Sequence, residues 1–316
     1  MRKKSKLKLQ TKGKSYPLCD SPFYKLRTKK KLAELIGFPL IELQKLRSHI
    51  GHYIEFEEEG KKGKKRKIQQ PINEMDRVHT RIASLICRID VPNYLHSGRK
   101  GFSNVSNAKA HLDSSKLMAT DVKSFFPSTT RRMIFSFFYS VMQCSPDVSD
   151  ILADICTIHG HLPTGSRISM PIAFWASCRL FEELDSLSKH HDVKMTLYVD
   201  DLTFSGANVN RLFKTTVRKI IERHGHTMHP TKTKLYDEHQ PKLITGVVVD
   251  NGVLRVRNQQ RKQLITDFAC WDLVKDVENA SLLPCTNSLI GRLQSMGMID
   301  GAFKERAKTV RGQTHK

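Results

Sequence analysis

Short apolar runs that meet aspartates constrain this chain more than any other feature. Lys116-Leu-Met-Ala-Thr-Asp121 reads as a buried strand that closes on an acid. Val193-Lys-Met-Thr-Leu-Tyr198 and Leu202-Thr-Phe-Ser205 read as two more strands, flanking Val199-Asp200-Asp201. Acids at strand ends, raised above a sheet, can converge although they lie far apart in sequence. Converging carboxylates repel unless a cation sits between them. Hard oxygen ligands with open positions suit Mg²⁺, which binds through one or two carboxylates plus substrate phosphates. A pair of such ions supports phosphoryl transfer by activating an attacking hydroxyl and stabilising the leaving oxygen. As a bare dipeptide, Asp200-Asp201 is more often no more than a favoured hairpin turn.

The composition says what a polymer-handling site would need. Among 316 residues, 53 are Lys or Arg and 31 are Asp or Glu, a formal net charge of +22. That excess favours polyphosphate partners such as nucleic acid or an anionic membrane surface. Half of it lies in residues 1–32, where twelve Lys/Arg face only Asp20. The segment reads either as a basic arm gripping a phosphate backbone or as a solubilising tail. With 39% hydrophobic residues the rest has ample material for a core. Seven scattered cysteines without a C-x-x-C pair argue against a disulfide framework or zinc ribbon, and for a reducing compartment. No apolar run approaches a membrane span, and the basic start lacks the apolar stretch of a secretory signal, so a cytoplasmic protein is expected.

Along the chain, 32–36 and 40–46 read as short helices broken at Gly37-Phe-Pro39, followed by a hairpin of 52–56 and 66–71. A helix is expected over 73–90, an irregular Gly/Asn/Ser-rich connection over 91–113, and helices over 128–158 and 171–189. Val209, Leu212, Phe213, Val217, Ile220 and Ile221 mark one face of a further helix. Strands are expected at 242–249 and 253–257, then helices to the end. This order means an α+β fold rather than a doubly wound sheet. Neither a P-loop nor a dinucleotide-binding glycine motif occurs.

Taken together, the motifs resemble those of reverse transcriptases. Phe125-Phe126 after Asp121, Leu162-Pro-Thr-Gly165 and Tyr198-Val-Asp-Asp201 stand in that family's order and spacing. Tyr53-x-x-Phe56, Lys61-Lys-Gly63 and Arg66-x-Ile-x-x-Pro71 are similar to its fingers hairpin. His229-Pro-Thr-Lys-Thr233 resembles a later palm motif, and Leu289-x-Gly291-x-Leu293 with Met298-Ile-Asp300 the thumb helix. Asn107-Ala-x-x-His111 and Ile244-Thr-Gly246 are similar to signatures of retron reverse transcriptases in particular. The chain departs from the pattern at Val199, Arg167, Met170 and His229, and it lacks the usual Gln before Gly165.

The resemblance implies a right-hand polymerase: a basic arm over 1–31, fingers and palm over 32–257, and a helical thumb over 258–316. It implies RNA-directed DNA synthesis, a nucleotidyl transfer, by Asp121, Asp200 and Asp201 holding two Mg²⁺ (or Mn²⁺), with Lys232 neutralising or protonating the pyrophosphate. Arg66, Lys65, Phe126, Val122 and Gly165 would bind the dNTP, with Phe126 colliding with a ribose 2′-OH and Gly165 letting the backbone approach the template–nucleotide pair. Asn107, His111, Thr245 and Gly246 would contact RNA. The implied partners are a structured noncoding RNA, its branched RNA–DNA (msDNA) product, dNTPs and an effector protein of an antiphage defence system, with no membrane. The alternatives are a reverse transcriptase outside the retrons and an idle polymerase-like fold that only binds RNA and a partner. The cluster His224, His226, His229 with Glu222 is read as a helix end or RNA-contacting turn rather than a zinc site, since no cysteine lies nearby.

Overall fold

Thr28 opens the first helix, α1 (Lys29–Ile36), by accepting a hydrogen bond from the Lys31 amide, and Gly37 closes it at φ 77°. Pro39 starts α2 (Leu40–Leu46). The hairpin β1 (Tyr53–Glu59) and β2 (Lys65–Pro71) leads to α3 (Asn73–Ile86), α4 (Asn104–Lys109) and β3 (Leu117–Asp121). Next come α5 (Phe125–Ser128), α6 (Arg131–Ser136), a π-helical turn at Phe137–Val141, α7 (Pro146–Ile155), α8 (Ser169–Ala176) and α9 (Cys178–His190). The hairpin β4 (Lys194–Tyr198) and β5 (Asp201–Ser205), then α10 (Arg211–Arg223), precede four short strands: β6 (Lys234–Tyr236), β7 (Lys242–Ile244), β8 (Val247–Asp250) and β9 (Val253–Val256). The chain ends in α11 (Asn258–Asp272), α12 (Pro284–Gly297) and α13 (Gly301–Thr314). This computed structural model describes residues 7–60, 63, 65–277 and 279–314.

The expected α+β class is therefore observed, with antiparallel sheets and helices. The central sheet has the order β4-β5-β3-β6, and β7-β8-β9 form a second sheet. Leu117 and Met118 of β3 are fully buried because the strand lies inside the sheet and under helices. The largest core runs from Phe23 through α3, α7, α8 and α9 to the inner face of α10. A separate core, with Trp271, Leu289, Leu293 and Phe303, holds α11, α12 and α13 together. Leu289 and Leu293 of the thumb-like motif are thus core residues. Ile299 packs against both that core and the small one beneath β7 and β8. Among the described residues no helix is long and apolar enough to cross a membrane.

Four expectations need correction. The connection 91–113 is not wholly irregular: Ser103 and Ser106 cap each other's backbone amides and nucleate α4. The expected strand 242–249 is broken at Thr245-Gly246, whose φ values of 43° and 84° turn the chain into the β7–β8 hairpin. Leu212 is 75% exposed. At about 100° per residue it lies roughly 80° beyond Ile220, off the buried stripe. Within the segment 1–31, the described residues 7–31 do not simply project as an arm. The Gln10 amide donates to Ser84 Oγ (3.0 Å), Tyr16 exchanges backbone bonds with Arg88 and Asp90 (3.0 and 2.8 Å), and Phe23 is fully buried. Arg2, Lys3, Lys4 and Lys6 of that segment lie outside the described residues, as do Lys61, Lys62 and Lys64 of the hairpin.

Three buried histidines tie separate elements together. His79 Nε2–H donates to the Ile155 carbonyl (2.8 Å), so Nδ1 accepts from Ser166 (2.7 Å). His111 bonds Ser205 and Thr196 on β5 and β4 (2.6 and 2.8 Å), and His226 bonds Ser128 and Ser177 (2.8 and 3.1 Å). Burial pulls their pKa values down to about 4, 3 and 4. Unfolded histidines titrate near 6.5 and so bind more protons than these do. The stability they contribute is full above about pH 6.5 and falls by up to about 1.4 kcal/mol per pH unit per site toward about pH 4. In an NMR titration these three imidazoles are expected to stay neutral at about pH 5.5, well below the ordinary histidine value. Protonation of any of the three in the folded protein near pH 6 would refute the assignment.

Candidate active site

Strand register brings the acids together. Asp121, the last residue of β3, lies directly across from Asp201, the first of β5. Tyr198 also faces Asp201, so Val199-Asp200 forms the two-residue turn of the β4–β5 hairpin. The turn is therefore Val-Asp rather than Asp-Asp, and Asp201 belongs to the strand. Val122 N–H donates to the Asp200 carbonyl (2.9 Å), and His229 N–H to the Asp121 carbonyl (2.9 Å). These bonds fix the backbone of both acids from either side.

The electrostatics follow from that convergence. Burial and the Asp121 charge raise the Asp200 pKa, against the lowering effect of Lys232 and Arg66. Burial, then Asp200 and Asp121, push Asp201 up to about 7. Asp121 is 3% exposed, with Oδ2 paired to Lys232 Nζ and Oδ1 buried without a hydrogen-bond partner. An orphaned buried carboxylate oxygen beside two more acids is a place for a hard cation. The described residues contain no cage of three or more His, Cys, Asp or Glu ligands. Asp121 and Asp201 open into a cavity of about 570 Å³ whose walls include Lys232, Thr245, Gly246 and Arg257. Arg257 precedes α11 and forms no ion pair among the described residues. No sequence motif singled it out.

The β1–β2 hairpin contributes a charge that is felt at the acids. Lys65 is paired with Glu57 (3.2 Å) and Lys67 with Glu55 (2.7 Å), so the acidic strand partly neutralises the basic run. Arg66 faces Glu58 in register but makes no ion pair among the described residues, and its charge reaches Asp200. Arg66 is thus the available cation of β2, and Lys65 is engaged elsewhere. Phe126 is half-buried on α5, its ring 6.0 Å from Phe125, five residues beyond Asp121. Val122 is fully buried and its amide is taken by the Asp200 carbonyl, so it presents no side chain to a nucleotide and acts through that backbone bond.

Gly165 lies against a neighbouring strand. A Cβ there would sit 2.9 Å from the Gln69 carbonyl oxygen and 2.9 Å from Ile68 Cγ2. The close approach is to β2, the strand that carries Arg66. Thr164 Oγ1 donates to the Lys67 carbonyl (2.6 Å), and Arg167 pairs with Asp76 of α3. The loop is therefore a dock for the hairpin and for α3.

Asn107 and His111 lie elsewhere than expected. Their exposures are 0% and 1%, which leaves no surface for RNA to touch. His111 joins α4 to the central sheet through its two hydroxyl partners, and Asn107 is walled in beside it, with neither side-chain polar atom partnered. Thr245 and Gly246 do face the cavity. Thr245 Oγ1 donates to the Asn104 carbonyl (2.9 Å), and Asn104 Nδ2 returns a bond to the Thr245 carbonyl (3.1 Å). The start of α4, three residues before the first signature, thus binds the second signature. His224 pairs with Glu183 (2.8 Å), while His229 lies within 3.5 Å of Thr231. With His226 held by serines, the three histidines have separate partners.

No family model matches the chain. It is related in sequence to retron reverse transcriptases. It is 27% identical over 220 residues to the Retron Se72 reverse transcriptase of Salmonella heidelberg (strain 579083-10), covering 66% of this chain and 57% of that protein. It is 23% identical to the Retron Ec86 reverse transcriptase of Escherichia coli, covering 66% of each. With the Retron Mx65 reverse transcriptase of Myxococcus xanthus the identity is 24%, over 75% of this chain and 61% of the relative. The chain thus matches between 57% and 66% of the length of these relatives.

The packing around Gly165 is testable without reference to activity. Gly165→Ala is expected to destabilise the protein by about 1–3 kcal/mol, because the Gln69 carbonyl is backbone and cannot move aside alone. A denaturant midpoint equal to that of the parent would show that β2 does not rest on this residue.

Proposed function

We propose that this chain, a relative of the retron reverse transcriptases, is an RNA-directed DNA polymerase acting through Asp121, Asp200 and Asp201. The observation that carries the reading is the junction of the three acids, with an unpartnered Asp121 oxygen, within the influence of Arg66, which makes no ion pair among the described residues. Asp121 and Asp200 would hold two Mg²⁺ ions, with Asp201 secondary. When bound, these ions supply charge neutralisation to a triphosphate and to an attacking primer hydroxyl. The chain's own groups do the rest. Arg66 grips phosphate oxygens through its planar fork, and Lys232 exchanges its Asp121 partner for the departing pyrophosphate. Its side chain is 59% exposed, so it is free to move. Phe126 presents an apolar ring to the sugar and offers a ribose 2′-OH no hydrogen-bond partner, so dNTPs are favoured.

The template in this reading is a cognate structured RNA, primed from the 2′-OH of an internal guanosine and copied into branched msDNA. The net charge of +22 supports a polyanionic partner of this kind. An effector protein and an antiphage role complete the proposal, by analogy with retron systems. A noncoding RNA gene with inverted repeats beside the coding region would support the retron assignment, and its absence would favour another reverse transcriptase.

Asp200→Asn is expected to lower Mg²⁺-dependent dNTP incorporation at least about a thousandfold while leaving RNA binding intact. Retained synthesis would sink the metal assignment. Phe126→Ala should raise rNTP incorporation relative to dNTP by about tenfold or more. Unchanged sugar discrimination would remove Phe126 from that role.

A further inference from the structure

Val199 adopts φ 60° at the tip of the β4–β5 hairpin, the left-handed region that a β-branched side chain disfavours. Of the two turn residues only the first has positive φ, a position at which hairpins favour glycine. Such strain persists only where surrounding contacts over-determine it. On one side the Val122 amide holds the Asp200 carbonyl. On the other, β4 is an edge strand, and the segment 94–97 runs beside it in parallel. Leu197 N–H donates to the Tyr94 carbonyl (2.7 Å), and His96 N–H to the Leu197 carbonyl (2.8 Å). The next donor along, Val199 N–H, meets no backbone partner in that segment. It donates to Ser97 Oγ at 2.9 Å, and Ser97 is 3% exposed.

We propose that Ser97 is a positioning residue whose buried hydroxyl holds Val199 in its left-handed conformation and thereby sets the direction of the Asp200 carboxylate. The proposal deepens the polymerase reading and rests on it for its kinetic consequence. Ser97 touches no substrate. It acts through one backbone bond, so its loss frees the turn to relax toward an ordinary φ. The acid one residue on then departs from its place beside Asp121 and Asp201. The two clamps hold the peptide units on either side of the turn, Tyr198–Val199 through its N–H and Asp200–Asp201 through its C=O, which makes the turn a two-point support rather than a free loop.

Ser97→Ala, Ser97→Thr and Val199→Gly, and Ser97→Ala combined with Val199→Gly, test this in the full chain. In Ser97→Ala the Val199 amide is expected to exchange with solvent faster, the dNTP turnover rate to fall roughly tenfold with KM for dNTP little changed, and half-saturating Mg²⁺ to rise. Ser97→Thr keeps the hydroxyl and should restore protection. Glycine takes a positive φ without strain. In the Val199→Gly background, replacing Ser97 by Ala should therefore cost less than about threefold in turnover. Unchanged Val199 exchange and turnover in Ser97→Ala overturn the proposal, as does an equal cost in both backgrounds. Amide exchange reads the clamp without any turnover. A parent protein that incorporates no dNTP would therefore fail the polymerase reading while exchange still decides the role of Ser97.

Discussion

The antiparallel pairing of β3 with β5 is the constraint on which the rest depends, because it sets Asp121 opposite Asp201 and leaves Asp200 on the adjoining turn. A slip of one residue would turn every side chain of β5 to the opposite face. It would bury an acid in the core and expose Leu202 and Phe204, which are fully buried here. The same apolar burial that stabilises the sheet therefore enforces the arrangement of the acids. Their repulsion is offset by Lys232 and by the charge of Arg66, contributed by distant parts of the chain.

Arg66 reaches that position by an indirect route. It sits on a two-stranded hairpin, a marginal structure when unsupported. The support comes from the loop at 163–167. Gly165 lets the loop lie against the Gln69 carbonyl, Thr164 bonds the β2 backbone, and His79 with Asp76 anchors the loop to α3. Two motifs that look independent in sequence are thus one mechanical unit. A similar joint links the start of α4 to the second signature. Asn104, just before Asn107, and Thr245 hold each other, and His111 extends the joint to the central sheet.

Much of the fold was legible because it follows from local periodicity. The hairpin, the β3 strand, the helix over 211–223 and the terminal helices all appear where apolar spacing and caps place them. The misses have physical reasons. Ser103 and Ser106 form a capping box from residues that read equally well as loop. The break at Thr245-Gly246 falls between Leu243-Ile244 and Val247-Val248-Val249, and those apolar flanks mask the single turn signal, Gly246. Leu212 looks apolar in sequence, yet its angle on the helix leaves it in solvent.

By itself the sequence determined which residues could do chemistry here: acids closing apolar strands, a cation on a hairpin, an aromatic ring just after the first acid. Those choices are local, and local pattern expresses them. Only the tertiary structure decided what each residue touches, because contact between distant segments depends on register, docking and burial. It turned Asn107 and His111 from expected RNA contacts into buried joints, and showed that Gly165 lies against a strand. It also placed Ser97, which no motif marks, on the amide of the turn between two strands. A hydroxyl matters there only because a parallel segment happens to run out of backbone acceptors at that point.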